Sequence, residues 1–473
     1  MIKIYKNKKI YLLTTVGLSM GLIACFTGIW AIAIVAGVIL LLTTLLNPKF
    51  GVFVLLFLQL GLTQSTTGLT EIEIIFLIFF CGVTIGWILR QLLKKKIVIK
   101  RSFLSLPIFL FLIFCIFSFV KASYNNINII DWFVEWQIFL VLILFFIILN
   151  EFQSKKELKW LIYNFLLVTA LICLKDIFLV IHQGGFKKVW QVGGIQYASL
   201  YFIMAIPISI AVFLATKNLW LKWFQVPLIL LFVFRLSISL SRSSVFALLV
   251  MLVIFVIALL GLKLLKNKKL LFRTIALVVL MCIISGVTFL IFPTQINRIV
   301  KNNMVRFLVL KDFSSPKNIS ALTRIVEIKA AWNYAIKQPL LGHGFGFKYQ
   351  YYRPSGKLYD IPYVHFVPLF FFLKIGLIGV FSIIWLIARV LTLNWQVFKK
   401  EKDLPWKLLE LAVFSNFIGI LILSLFVTNV VRIDSILYLT LAMGIIATLK
   451  KLQSEQRSHI NFNSTKLIKS YAK

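Results

Sequence analysis

Residues 243–262 read SSVFALLVMLVIFVIALLGL, a stretch without charge whose only polar side chains are the first two serines. An α-helix needs about 20 consecutive apolar residues to cross a lipid bilayer. Similar runs recur from Ile10 to Leu449. The chain is 61% hydrophobic and 14% charged, whereas soluble domains have about 45–50% apolar and about 25% charged residues. The sequence therefore predicts an all-α polytopic integral membrane protein.

The apolar runs predict about 12–14 transmembrane helices. The predicted spans lie near residues 10–27, 30–46, 51–67, 72–90, 103–121, 132–150, 159–181, 195–216, 223–240, 243–262, 271–292, 363–388, 408–428 and 434–449. The first run follows a lysine-rich start, as a signal peptide does, but no small-residue cleavage site follows it. We interpret it as a retained span. The first two runs can also be read as one long interrupted segment.

The basic residues predict the orientation. The formal net charge is +36, which in a soluble protein would suggest nucleic acid, but here the Lys and Arg side chains lie in short clusters between apolar runs. Under the positive-inside rule such clusters mark cytoplasmic loops. The short outer loops then contain only Lys121, Lys187, Lys188, Arg242 and Arg432. We therefore expect both termini to be cytoplasmic and exclude nucleic acid as a partner.

Neither metal nor cofactor is predicted. All five cysteines fall inside apolar runs and no CxxC occurs, so disulfides and structural zinc are not expected. The chain also lacks an Asp-x-Asp, the pattern that would hold a divalent ion on a nucleotide sugar.

One large outer loop interrupts the series of spans. We divide the chain into an N-terminal bundle of about eleven spans (1–292), a large extracytoplasmic loop (293–362), C-terminal spans, about three in number (363–450), and a basic cytoplasmic tail (451–473). Long loops are uncommon and usually functional.

The loop itself has a predicted helix. Ser320 is a candidate cap for a helix that runs to about Lys337, and Pro339 ends it. Its apolar residues recur at amphipathic spacing, so we expect the helix to lie on the membrane surface or pack on the bundle. These residues are Leu322, Ile325, Ile328 and Trp332.

Polar groups near the outer ends of spans are functional candidates, because they are costly in a membrane. Lys175 and Asp176 lie in the outer third of the seventh span, where a structural ion pair is the alternative. Arg235 and Arg242 are seven residues apart, two turns of a helix. Ser241 and Arg242 lie at a helix junction, where hydroxyls, a guanidinium and free N–H groups suit a phosphate. The alternatives are snorkelling of Arg235 and contact of Arg242 with lipid headgroups.

The outer loop carries further candidates. Arg324 lies at the start of the amphipathic helix, and a glycine-rich segment, Gly342-His343-Gly344-Phe345-Gly346, follows Pro339. This segment does not follow a buried strand and lies outside the cell, which excludes a nucleotide loop. His365 follows at the entry of a span. Several tyrosines between the two, including Tyr349 and Tyr351, can stack on sugar rings or form an interfacial aromatic belt.

These motifs, in this order, resemble the O-antigen ligase / O-antigen polymerase superfamily of bacterial envelope glycan assembly. They are Ser241-Arg242, Arg324 with Trp332, Pro339-x-x-Gly-x-Gly, and His365 with Gly376-x-x-Gly379. The topology matches over most of the chain, and the motifs lie within residues 235–380.

The resemblance implies a polyprenyl-pyrophosphate-linked oligosaccharide as donor, a glycan as acceptor, and an active face outward on the bacterial cytoplasmic membrane. It implicates Arg242 and Arg324 as pyrophosphate ligands and His365 as the base that activates the acceptor hydroxyl. Independently of the resemblance, His343, which lies between two glycines, is a weaker candidate for the base and a candidate helper. A chain-length regulator or a flippase is an expected protein partner. The family often has Asn after this histidine, where this chain has Phe366.

Three hypotheses remain. The first is a lipid-linked glycan glycosyltransferase, with polymerisation of a capsular, exo- or O-antigen polysaccharide favoured over ligation to another acceptor. The second is a polysaccharide flippase, which the absence of an evident repeat disfavours. The third is a different glycosyltransferase that uses Glu71 or Glu73 as base.

Overall fold

The computed structural model describes residues 29–61, 70–93, 100–182, 199–239, 241–261, 268–276, 319–354 and 356–471. The helices are α1 (Ile29–Leu46), α2 (Pro48–Leu58), α3 (Glu71–Leu93), α4 (Ser105–Tyr124), α5 (Ile129–Leu140), α6 (Leu144–Glu151), α7 (Lys155–His182), α8 (Ser199–Ala215), α9 (Leu219–Ser239), α10 (Arg242–Gly261), α11 (Ile319–Ala335), α12 (Val367–Lys400), α13 (Leu404–Leu423) and α14 (Ile433–Tyr471). A 3₁₀ turn, Val141–Ile143, joins α5 to α6, and another, Thr428–Val430, precedes α14. Two strands, β1 (Tyr349–Tyr352) and β2 (Leu358–Ile361), form an antiparallel hairpin.

The helices confirm a polytopic membrane protein. In the described part of the chain, nine helices are long and apolar enough to cross a membrane, and shorter apolar helices accompany them. Each of the nine long helices overlaps a predicted span. The predicted span 10–27 and most of the predicted span 271–292 lie outside the described residues, although residues 268–276 are helical.

The third predicted span, 51–67, is wrong in its bounds. Helix α2 starts at Pro48, directly after α1 ends, and stops at Leu58. Proline suits the first turn of a helix, and the Asn47 side chain accepts the Phe50 N–H at 3.3 Å. Lys49, between the predicted spans 30–46 and 51–67, therefore lies within a helix.

The chain forms two compact units, one of residues 1–55 with 73–98 and one of residues 56–72 with 99–473. In the first, a Cβ at Gly86 of α3 would collide with the Leu45 carbonyl of α1. This close approach of two backbones is typical of small residues between membrane helices.

The second unit contains the candidate site. Its centre is α8, which packs on α9, α10 and α13, while α12 packs on α4, α11 and α13. At one end, polar contacts join segments that were all predicted to be inner loops. Lys155 forms an ion pair with Glu401 at 2.9 Å, Gln453 donates to the same carboxylate at 3.0 Å, and the Lys100 N–H donates to Asn150 at 2.9 Å.

Helix α11 in the large loop confirms the predicted helix, although it begins at Ile319, so Ser320 lies in its first turn. It packs on α12, where Trp332 meets Phe372 with ring centroids 5.6 Å apart. Its buried residues are Glu327, Ala331 and Ala335, whereas Ile325 and Trp332 remain exposed. Two residues of the predicted apolar stripe thus remain exposed, whereas Leu322 and Ile328 are half-buried. The buried face of the helix carries Glu327, Ala331 and Ala335.

Candidate functional site

The glycine-rich segment is built into a break in α12. Gly376 has φ 63° and ψ −170°, so it interrupts the helix. The freed carbonyls of Leu373 and Lys374 accept the N–H groups of His343 and Gly344, each at 2.9 Å. On the other side of the break, the Leu377 N–H donates to the Pro339 carbonyl at 2.8 Å. The loop thus supplies the partners that the broken helix lacks.

Only glycine fits at this junction. A Cβ at Gly376 would collide with the Leu340 carbonyl. A Cβ at Gly344 would lie 2.6 Å from the Ala122 nitrogen, and one at Gly346 would lie 2.6 Å from the Trp132 nitrogen. All three have positive φ, which side chains disfavour. The glycines therefore serve close backbone packing.

A buried ion pair lies beneath this segment. Lys374, with a fully buried side chain, donates to Glu135 of α5 at 2.9 Å and to the Phe347 carbonyl at 2.6 Å. The same carboxylate accepts the Gly346 N–H at 2.8 Å. A buried charge needs both a counter-charge and hydrogen bonds, and here it has both. The pair ties α5, α12 and the glycine-rich segment together.

The centre of the candidate site is His365 with Glu327. His365 follows β2, and its backbone N–H donates to Glu327 Oε1 at 2.7 Å. Its Nδ1 lies 2.8 Å from Glu327 Oε2 and 3.0 Å from Oε1. The histidine side chain is 34% exposed and the carboxylate 1% exposed. A carboxylate at Nδ1 favours the tautomer with its proton there, so Nε2, on the opposite edge of the ring, carries the lone pair.

Arg324 lies one turn before Glu327 on α11. Burial lowers the pKa of its guanidinium, against the opposing effect of the Glu327 charge, but an arginine stays cationic in proteins. Helix α11 thus carries both Arg324 and, one turn later, the carboxylate that holds His365.

Two contacts connect the start of α10 with the neighbourhood of His365. The Val367 N–H donates to the Ser424 carbonyl at 3.0 Å. Phe426, two residues further on, meets Phe246 of α10 with ring centroids 6.3 Å apart. Phe246 follows Arg242 by one turn. These contacts link α10, one turn after Arg242, to the segment that follows His365. The Arg242 side chain lies outside the described residues.

Arg235 does not reach this site through any described contact. Its side chain is fully buried, and Nε and Nη2 donate to Asp176 Oδ2 at 2.8 and 2.6 Å. The guanidinium also lies over the Phe202 ring, 5.0 Å from the centroid. Lys175 donates to the Leu60 carbonyl. Asp176 of α7 and Arg235 of α9 thus form an ion pair inside the bundle, which agrees with the structural alternative for Asp176. Ser241 bonds to Ser244 at 2.8 Å.

His343 is a buried residue. Its Nε2 lies 2.8 Å from the Tyr334 carbonyl, and its ring stacks on Phe347 with centroids 4.2 Å apart. Burial lowers its pKa, more than the Tyr334 carbonyl raises it. Both contacts indicate that His343 packs the loop.

Tyr349 and Tyr351 also point inward. They occupy the buried positions of β1, and the Tyr349 hydroxyl donates to the Tyr363 carbonyl at 3.1 Å. Burial raises the pKa of Tyr349 well above its ordinary value. Neither ring is presented to a sugar in this arrangement.

Sequence reasoning missed Glu327, Glu135 and Lys374. Glu327 lies three residues after Arg324, on the face of the predicted helix that also carries small residues, and this was the available signal. Glu135 and Lys374 are 239 residues apart in sequence, so their contact depends on how α5 lies against α12.

The architecture defines a polytopic membrane protein with a histidine–carboxylate pair and an arginine on a loop at one end of its bundle. Residues 226–384 match the O-Antigen ligase family. This match confirms the resemblance to the O-antigen ligase / O-antigen polymerase superfamily, and it covers Arg235, Arg242, Arg324, Glu327 and His365. No curated protein matches the chain. The family implies a lipid-linked glycan substrate in a membrane setting.

Proposed function

We propose that the chain is a membrane glycosyltransferase acting on polyprenyl-pyrophosphate-linked glycan at the outer face of a bacterial cytoplasmic membrane. The observation that carries the proposal is the contact of His365 Nδ1 with Glu327 at 2.8 Å, beside Arg324 on the same helix. The O-Antigen ligase match includes all three residues.

The proposed chemistry assigns each group a role. An acceptor hydroxyl loses its proton to Nε2 of His365 while its oxygen bonds to the anomeric carbon of the donor sugar. The bond from that carbon to the pyrophosphate oxygen breaks, and pyrophosphate leaves on its lipid. Glu327 stabilises the imidazolium that forms. Arg324 and Arg242 stabilise the charge that develops on the leaving group.

The orientation is part of the proposal. The predicted inner segments meet through Lys155, Glu401 and Gln453, and the loop with His365 joins the opposite ends of α4, α5 and α12. The basic clusters at the Glu401 end favour a cytoplasmic location for that end. Both termini are then cytoplasmic and the site faces outward.

Replacing His365 by Ala tests the proposal in cells that lack the native gene. We expect loss of polymeric glycan with lipid-linked intermediates retained, because the proposed mechanism assigns removal of the acceptor proton to Nε2 of His365. Glu71→Gln, at the exposed start of α3, is the matched control and should keep wild-type glycan. The opposite pattern would favour the third hypothesis, in which an acid of α3 is the base.

Replacement of Arg324 tests the proposed stabilisation of the leaving pyrophosphate. Arg324→Ala should weaken donor use by about 10²-fold, since one electrostatic donor at a transition state contributes about that factor. Arg324→Lys should recover only part, because lysine lacks the bidentate geometry. Arg353→Ala, in the turn of the β1–β2 hairpin, is the control and should leave donor use unchanged.

Polymerisation of capsular, exo- or O-antigen repeat units is the favoured activity, and ligation to another acceptor is the alternative. Glycan size on a gel separates them. Without the gene, single repeat units on lipid indicate a polymerase, whereas full-length chains left on lipid indicate a ligase. Movement of lipid-linked units across vesicles without new glycosidic bonds would indicate a flippase.

A further inference from the structure

Tyr363 lies directly beside His365. The residue is 37% exposed, and the two ring centroids are 5.7 Å apart with an interplanar angle of 77°. At this distance, a flat ligand in contact with the Tyr363 ring lies within reach of the imidazole.

The main chain holds Tyr363 in this position. Val364, between the two rings, is fully buried, and the Tyr363 carbonyl accepts the hydroxyl of the buried Tyr349 at 3.1 Å. The His365 N–H is bound to Glu327 at 2.7 Å. The backbone on both sides of Val364 is therefore anchored, while the Tyr363 residue is partly exposed.

The other tyrosines of the loop do not offer such a surface beside the histidine. Tyr349 and Tyr351 are buried. Tyr359 has the Arg353 guanidinium over its ring at 3.7 Å from the centroid. Tyr352 is 65% exposed, but it pairs with Leu358 at the turn end of the hairpin, about 10 Å along β1 from the end that leads to His365.

We propose that Tyr363 is the platform of an acceptor-sugar subsite, on which the apolar face of the acceptor pyranose rests while one of its hydroxyls faces His365 Nε2. This inference rests on the proposed function. The C–H groups of a pyranose face carry partial positive charge, and the face of an aromatic ring carries the complementary negative quadrupole. Equatorial hydroxyls project from the rim of the sugar. A sugar in contact with Tyr363 thus brings its rim hydroxyls within reach of the imidazole.

The test separates an effect on the acceptor from an effect on the donor. The probe is a labelled repeat-unit glycoside without pyrophosphate, which accepts but cannot donate. With purified full-length protein and lipid-linked repeat units as donor, Tyr363→Ala should raise the acceptor KM about tenfold, the effect of one lost stacking contact. The donor KM should stay unchanged. Tyr363→Phe and Tyr363→Trp should retain the wild-type KM, whereas Tyr363→Leu, which keeps apolar volume without an aromatic face, should resemble Tyr363→Ala.

Tyr352→Ala is the matched control and should keep the wild-type acceptor KM, since the same residue type is exposed away from His365. An unchanged acceptor KM in Tyr363→Ala, or a rise in the donor KM instead, would overturn the subsite while His365→Ala still tests the proposed function. Binding of the glycoside, followed by saturation-transfer NMR, needs no turnover. Equal binding to wild type and Tyr363→Ala would therefore refute the subsite even if no transfer occurs, and a variant that fails to fold is replaced by Tyr363→Leu in the same comparison.

Discussion

The Glu327 carboxylate holds His365 at two places, accepting its backbone N–H at 2.7 Å and facing its Nδ1 at 2.8 Å. One buried side chain thereby sets both the position of the main chain and the orientation of the imidazole. A carboxylate in this position selects the tautomer and stabilises the protonated ring. In the proposed mechanism, Glu327 is accordingly a positioning residue that acts through His365.

Glu327→Gln should lower kcat by about 10- to 100-fold, the range for loss of a group that orients a reactive histidine. The amide retains an oxygen for the His365 N–H but loses the charge that stabilises the imidazolium. Because the loss concerns the transition state, KM for the donor should change little. Steady-state transfer kinetics measure both. An unchanged kcat would contradict the role given to Glu327.

Gly376→Ala should destabilise the protein by more than about 2 kcal/mol, because the new Cβ would collide with the Leu340 carbonyl in addition to straining a positive φ. Gly356→Ala is the matched control. Gly356 also has positive φ, but no atom lies within 4 Å of the position that its new methyl group would take, so only the backbone strain of about 1 kcal/mol applies. Thermal unfolding in detergent compares them. Equal shifts in Tm for the two variants would refute the close approach of Gly376 to the Leu340 carbonyl.

Breaking the ion pair between Lys374 and Glu135 should be costly. Lys374→Met leaves a buried carboxylate without its counter-charge, at a cost of about 3–5 kcal/mol. A double-mutant cycle with Glu135→Gln should therefore show coupling above about 1 kcal/mol.

The exposed pair of Lys348 and Asp131 is the comparison for that cycle. Its side chains are 42% and 41% exposed and lie 2.8 Å apart, and an exposed pair contributes at most about 1 kcal/mol. Denaturation midpoints of both cycles give the two coupling energies. Similar small values for both would mean that the Lys374 pair is not buried as described.

His343 should make the fold sensitive to acid. Burial lowers its folded-state pKa below the ordinary value of about 6.5 that applies in the unfolded chain. Between these two pKa values the unfolded chain binds more protons, so stability falls as the pH drops below about 6.5. The fall in Tm from about pH 7.5 to about pH 5.5 should be larger in wild type than in His343→Gln.

His182→Gln is the control for that measurement, because His182 is exposed at the end of α7. It should show the same acid-induced fall in Tm as wild type. If His343→Gln also behaves like wild type, the histidine is not buried in its neutral form.

Much of the architecture could be predicted from the sequence. Apolar length alone places the described spans, because a helix in lipid must satisfy its own backbone and present apolar side chains on all sides. Ser320 and Pro339 predicted the approximate bounds of α11, although Ser320 lies in the first turn of the helix. The bounds of α2 were wrong because periodicity does not detect a helix that stops at Leu58 within an apolar run.

The candidate site could be predicted only in part. Its residue types and order indicated Arg242, Arg324 and His365, and the family match covers them. Arg235 was grouped with them because it lies two turns from Arg242, but its contact with Asp176 depends on how α7 packs against α9. Tyr349 and Tyr351 were chosen for their ring type, and the alternation of β1 turns both inward.

The sequence by itself determined that this chain resides in a membrane, roughly where its spans lie, and which loop carries polar chemistry, because hydropathy and charge are local properties. Only the tertiary structure decided that Glu327 holds His365, that Gly376 opens α12 to receive the glycine-rich segment, and that Tyr363 is the tyrosine left beside the histidine. These three features depend on contacts between residues that are distant in sequence. The energies of such contacts are set by burial and geometry, which a local sequence pattern does not contain.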